Sequence, residues 1–341
     1  LIASSLGGRH LVSRLTVPER EAKPESFVDW LELAALFNAG APVNIMEVVE
    51  QLDLDADTHE TDGADADTFR ESRASEIGAE IKHRQRALGP SYPFVVLDRQ
   101  SRLSLGQPLT KDGSVYLLTL LLSHSPKSEI VPSALAPSAA RLKDARDLFQ
   151  ICATAAAAAH VRGPSFSIGW SSTNTDKILS KLRSAWATFP DGILRQTPPP
   201  IAPRQVKDDG IDVLAFWTEL DGRPSRGFLV GQAASGHREW RDKDTQDAIS
   251  HILEYFDTPP ASRPHGATFI PFYLSHEPWN LEHRTYKKHQ YISHRTRLAR
   301  QVREAIALKK SGIGPIERIN ELPKIVRWVK GYLSDLTNMQ P

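Results

Sequence analysis

Cysteine is nearly absent: Cys152 is the one thiol in 341 residues. A lone cysteine excludes an intramolecular disulfide framework and any zinc site built from several thiolates, and it fits a reducing cytoplasm. An excess of one charge is lacking too. With 42 Lys and Arg against 41 Asp and Glu, the formal net charge is +1. Attraction to a polyanion must therefore come from where the charges lie. No apolar run approaches the ~18 residues that span a bilayer. Residues 1–5 carry neither the basic region nor the apolar stretch of a signal peptide. No internal repeat is visible. The expectation is a cytoplasmic protein with no membrane partner, long enough for two domains. Its 40% hydrophobic and 24% charged residues are ordinary for a globular chain.

What is present reads as helices first. After Pro24, Phe27, Trp30, Leu31, Ala34 and Leu36 recur near helical spacing over 25–37, and a second segment follows at 44–52. Residues 53–67 carry Asp53, Asp55, Asp57, Glu60, Asp62, Asp65 and Asp67 with almost nothing to bury, which predicts a solvated acidic loop. A charged helix is predicted over 68–88 and a strand over 92–97. The apolar run 115–122 is too short to decide between helix and strand. The Pro/Ser-rich stretch 123–137 marks a boundary, dividing a mostly helical N-terminal domain (1–135) from a second domain (136–341).

In that second part, Leu142, Ala145, Leu148, Phe149 and Cys152 make an apolar stripe over 139–160, and the alanine run 155–159 permits close approach. A helix over 173–187 turns Ile178, Leu179, Leu182 and Trp186 inward. An amphipathic helix is predicted over 244–256, a strand over 268–274, and closing helices over 295–308 and 323–336. The order helix, helix, strand, strand, helix, strand, helix predicts an α/β class with helices flanking a mixed central sheet.

The chemistry lies between 207 and 236. Asp209-Gly210-Ile211-Asp212-Val213-Leu214-Ala215 and Leu229-Val230-Gly231-Gln232-Ala233-Ala234-Ser235-Gly236 read as two adjacent strands. Each ends in a side chain of metal-ligand type, Asp212 and Gln232. A carboxylate and a second oxygen at neighbouring strand ends seat Mg²⁺ or Mn²⁺ from one side and leave positions for phosphate and water. The carbonyl of Ala233 is the natural third ligand.

These residues resemble the PD-(D/E)XK restriction-endonuclease-like superfamily, in the branch that writes Gly-Ile-Asp followed by Gln-x-Lys. The resemblance covers roughly 141–255. It implies an α/β/α core and a metal-dependent endonuclease of bacterial restriction or anti-phage defence, cutting double-stranded DNA. It implies Asp212, Gln232 and Lys243 as catalytic residues, with Gln150 in an outer shell where the superfamily often has Glu. Ala234 stands where the lysine is expected. Some members carry that lysine on the following helix, where Lys243 lies, ahead of His237, Arg238 and Lys207 as substitutes. A homodimer is expected because two strands need two active centres; other defence-system subunits are the alternative partners. Ala234 and the two glutamines also support a catalytically inactive DNA-binding or scaffold subunit.

A basic region closes the chain. Between 283 and 310 lie Arg284, Lys287, Lys288, Arg295, Arg297, Arg300, Arg303, Lys309 and Lys310, interleaved with Tyr286 and Tyr291. On a helix, Leu298, Val302, Ala305 and Ile306 share one face while Arg297, Arg300 and Arg303 share the other. That ridge, with Lys287 and Lys288, is expected to contact phosphates. His283, His289 and His294 do not fall on one helical face, so no transition-metal site is expected there. Trp279 is expected to be a packing anchor.

Overall fold

The computed structural model describes residues 12, 14–38, 41–46, 48–49, 63–97, 102–125, 128–169, 175–200, 210–219, 224–237, 239–275 and 277–338. Two units emerge, one made of 1–142 with 326–341 and the other of 143–325. The dividing point thus falls at 142/143, against the expected 135/136, and residues 326–341 go with the first unit.

In the first unit, Pro24 opens helix α1 (Pro24–Phe37), where its missing N–H costs nothing. Strand β1 (Val43–Asn44) and helix α2 (Gly63–Leu88) follow. Residues 63–67 are therefore helical, which corrects the C-terminal part of the acidic loop; 53–62 lie outside the described residues. Carboxylates near a helix start are favoured by its dipole, and Asp67 pairs with Arg70 at 2.9 Å. Strands β2 (Phe94–Leu97) and β3 (Arg102–Leu105) complete an antiparallel sheet of order β1-β3-β2. The undecided run 115–122 is helical, inside α3 (Lys111–Ser123), capped by the Thr110 side chain accepting from the Gly113 N–H at 3.0 Å.

The second unit is built on a five-stranded sheet, with a separate two-stranded one. Helix α4 (Ala139–Val161), which starts within the first unit's residues, leads to β4 (Ser165–Ser167), then α5 (Thr175–Trp186) and the short β5 (Ile193–Leu194). The expected caps of α5, Thr173 and Asn174, lie outside the described residues. Strands β6 (Val213–Thr218) and β7 (Pro224–Ala233) form the predicted pair. Helix α6 (Thr245–Leu253), β8 (Phe256–Thr258) and β9 (Arg263–Phe269) come next, so the strand expected at 268–274 begins and ends earlier. Helix α7 (Trp279–His289), β10 (Tyr291–Ser293) and α8 (Arg295–Lys310) complete this unit, and α9 (Leu322–Asn338), most of which belongs to the first unit, follows.

The main sheet runs β10-β9-β7-β6-β4. β4, β6 and β7 are antiparallel neighbours, while β9 joins β7 in parallel and β10 joins β9 in parallel. A parallel return needs a crossover, and α6 supplies the one between β7 and β9. Side chains alternate across the sheet. Leu214, Phe216, Phe228 and Val230 pack with Ile178, Leu182 and Trp186 of α5 and Ala248, Ile249 and Ile252 of α6. Val213, Ala215 and Leu229, the intervening residues, are buried on the other face. The class is therefore mixed α/β, a five-stranded sheet packed by helices, with a smaller helical and sheet region at the N-terminus. No helix among the described residues is long and apolar enough to cross a membrane.

Candidate functional site

Asp212 sits one residue before β6 because Gly210 turns the chain there with φ +72°. An L side chain at that angle is strained, and a Cβ would stand 3.1 Å from the Gln232 amide nitrogen. In the β6–β7 ladder Val213 faces Gly231 and Leu214 faces Val230. One further step sets Asp212 across from Gln232. Asp212 also continues the alternation of Leu214 and Phe216, and Gln232 that of Phe228 and Val230, so both belong to the face of the sheet that packs α5 and α6.

Main-chain bonds fix the two groups. A carboxylate oxygen of Asp212 accepts the Ala233 N–H at 2.7 Å. The Asp212 N–H donates to the Gly231 carbonyl at 2.9 Å, and its own carbonyl accepts from the Ile168 N–H at 2.8 Å. Gln150, buried on α4, donates its side-chain NH₂ to that same carbonyl at 2.7 Å. Gln150 thus holds Asp212 through the backbone and does not touch its carboxylate by this bond.

Gln232 is only 5% exposed. Its amide nitrogen donates to the Gly210 carbonyl at 2.9 Å. That partner is an acceptor, so the nitrogen must face it and the oxygen must face away. The oxygen Oε1 is buried and has no hydrogen-bond donor among the described residues. Leaving a buried acceptor unmet costs about 1–3 kcal/mol, and such groups need an explanation.

The polar row continues laterally, which the sequence reading missed. Gln232 is register partner to Thr268 on β9, and the buried hydroxyl of Thr268 lies 2.9 Å from Nδ1 of His289. Burial, reinforced by the neighbouring Lys288 charge, lowers the His289 pKa to about 4, so this imidazole is neutral at pH 7. Only a threonine on an expected strand and a histidine in the basic region were visible beforehand, and nothing in their spacing paired them.

Ala234 is closed off. It is buried in an apolar cluster with Trp240, Ile270, Phe272 and Ile292, and its N–H donates to the Phe269 carbonyl at 2.9 Å. A lysine there would bury its ammonium among aromatic and aliphatic groups, an unfavourable exchange. Lys243 precedes α6 and is not in its first turn: Asp244 is the N-cap, accepting from the Gln246 N–H at 2.8 Å. Lys243 is half-buried and makes no hydrogen bond or ion pair among the described residues. His237 is exposed beside the Phe272 ring, while Arg238 and Lys207 lie outside the described residues.

The basic residues divide by use. Arg297 is exposed yet donates to the Ile292 carbonyl at 2.7 Å. Arg300 pairs with Glu304 at 3.0 Å on the surface, a bond of little energetic weight. Arg303 is exposed. Lys288 donates to the Arg241 carbonyl at 2.8 Å, whereas Lys287 is exposed. The ridge is therefore partly engaged within the protein. Trp279 overturns its expectation, being 77% exposed at the first position of α7. A preceding proline and a helix of mean polar character leave no apolar face there for it to join.

Among the described residues no three of His, Cys, Asp or Glu cluster as a metal site. Mg²⁺ keeps several waters and needs only one or two carboxylates, with substrate phosphate completing its shell. One carboxylate beside a buried amide oxygen that lacks a donor fits such a loosely held ion. No family model matches this chain, and no curated protein or solved structure does either.

Proposed function

We propose that this chain is a divalent-metal phosphodiesterase of the PD-(D/E)XK restriction-endonuclease-like kind, cutting double-stranded DNA in a bacterial defence system. One observation carries the reading: the Gln232 side-chain oxygen is buried with no donor among the described residues, opposite Asp212 at the adjoining strand end. Its support in the frame is the succession of leading helix, second helix, Asp-bearing strand, Gln-bearing strand and following helix.

Asp212, Gln232 and the Ala233 carbonyl would hold Mg²⁺ or Mn²⁺. The ion would withdraw charge from the scissile phosphate and ease deprotonation of the attacking water. The protein's own groups do the rest. Gln150 and the Ile168 N–H fix the Asp212 peptide, and the Ala233 N–H orients its carboxylate. Lys243, carried to the entrance of α6, is the cation that faces the charge developing on phosphate. Arg297, Arg300, Arg303 and Lys287 grip the DNA backbone.

The test is nuclease activity of the purified chain on plasmid and linear DNA with Mg²⁺, Mn²⁺ or EDTA. Asp212→Ala is expected to reduce cutting at least about 100-fold and Lys243→Ala about 10²- to 10³-fold, the cost of removing one charge-stabilising group. Residual cutting equal in Asp212→Ala and the parent defeats the proposal. The sealed environment of Ala234 favours a second reading, an inactive nuclease fold that binds DNA as a scaffold. It predicts DNA binding that needs no metal, and no cleavage in any of these mixtures.

A further inference from the structure

Helix α7 presents an aromatic and basic face of which the proposed chemistry uses only Lys287. Trp279 is 77% exposed and Leu281 45%. Trp279, His283 and Lys287 follow one another at i, i+4 and i+8, which puts them along one stripe. The Trp279 and His283 rings lie 5.5 Å apart. Arg284 is exposed beside this stripe. The helix carries three fixed cations (Arg284, Lys287, Lys288) against one carboxylate, Glu282. The exposed Trp279 and Leu281 on an otherwise polar helix are open to a partner, and the three cations of the helix favour an anionic one.

The other end of α7 is tied to the candidate site. Lys288 donates to the Arg241 carbonyl at 2.8 Å, and the Thr245 hydroxyl donates to the Lys288 carbonyl at 3.0 Å. These bonds bracket the segment that carries Lys243. From Trp279 to Lys288 a helix rises about 14 Å, the span of about four stacked nucleotides of one strand.

We propose that the exposed face of α7 binds single-stranded DNA, with an unpaired base stacked on Trp279 and the adjoining phosphates held by Arg284 and Lys287. Stacking on an aromatic ring needs a base lifted out of its pair, which duplex DNA does not offer, while the flanking cations supply attraction independent of sequence. The inference deepens the nuclease reading and rests on it for its biological setting: the chain engages DNA with a frayed or unpaired segment beside the cleavage centre. The Trp279 contact itself requires neither metal nor cutting.

The experiment is fluorescence anisotropy of a labelled oligothymidylate and of a duplex of equal length, in EDTA at low salt, with the full chain. Trp279→Ala is expected to weaken oligothymidylate binding about 5- to 100-fold, the range for losing one base stack, with the duplex affected less. Trp279→Phe retains most of the affinity. Arg284→Glu and Lys287→Glu each lower the slope of log K against log salt by about 1. Unchanged oligothymidylate binding by Trp279→Ala overturns the proposal. So does an equal loss for the duplex, a stronger Trp279-dependent preference for oligouridylate, or a parent dimer in sedimentation that Trp279→Ala dissolves. Because EDTA removes cleavage from the measurement, failure here leaves the metal-dependent reaction standing, and failure of that reaction leaves this result standing.

Discussion

Gln232 shows how one side chain carries both the legible and the hidden part of this protein. Its position was readable: an apolar run ending in Gly231 and Gln232, matched by a second run announced by Gly210 and Asp212. The surroundings of Ala234 were not, because Trp240, Ile270, Phe272 and Ile292 arrive from three later segments and only the sheet brings them together. Nor was the pairing of Thr268 with His289. That pair has a pH consequence. The folded-state pKa of His289, about 4, lies below its ordinary value of 6.5, so the unfolded chain binds the proton first as pH falls. Stability from this residue is complete above pH 6.5 and is lost between there and pH 4. Lowering the pH from 7.5 to 5 is expected to remove about 2 kcal/mol through this group. Urea unfolding of the parent and of His289→Gln at both values checks it: the variant should show a smaller acid penalty by that amount.

At the scale of elements, periodicity identified the long helices and the central strand pair and failed on the short pieces. β4 and β10 have three residues each, too few to display alternation. α7 is mostly polar, so its helical period has no apolar stripe to reveal it. The strand expected at 268–274 ends at Phe269 because the extended apolar residues beyond it leave the ladder to join the cluster around Ala234. The link between α4 and β4 depends on Gly163, where a Cβ would stand 2.0 Å from the Phe216 carbonyl oxygen. The obstacle is backbone within the sheet and has no rotamer to yield. Gly163→Ala is therefore expected to cost about 3 kcal/mol or more, measured as a lower urea midpoint with an unchanged m-value.

For the molecule as a whole, the near-neutral total conceals charges put to different uses. In the N-terminal unit Arg84 is fully buried and donates to Asp29 at 2.6 Å, Glu32 at 2.9 Å and Glu80 at 2.8 Å. Tyr92 and Tyr116 also donate to Glu32, each at 3.0 Å to Oε1. Replacing the cation strands carboxylates away from water, so Arg84→Met is expected to cost about 3–5 kcal/mol. Chemical denaturation checks the magnitude, and a change under 1 kcal/mol would contradict the account. No pattern in the chain points to this cluster, since its charged members lie on α1 and α2, far apart in sequence, and look like ordinary surface charges.

One feature of α4 reaches beyond packing. The alanines at 155–159 are all buried, and from 148 to 159 this helix offers no flank to solvent, although Lys143, Asp144 and Arg146 nearer its start are exposed. A jacketed helix exposes its amides only when its surroundings come apart. Deuterium should therefore enter the amides of 153–159 last of all in the C-terminal unit, at a rate set by global opening. Gln150, one turn earlier on the same rod, inherits that stillness and passes it to the Asp212 peptide.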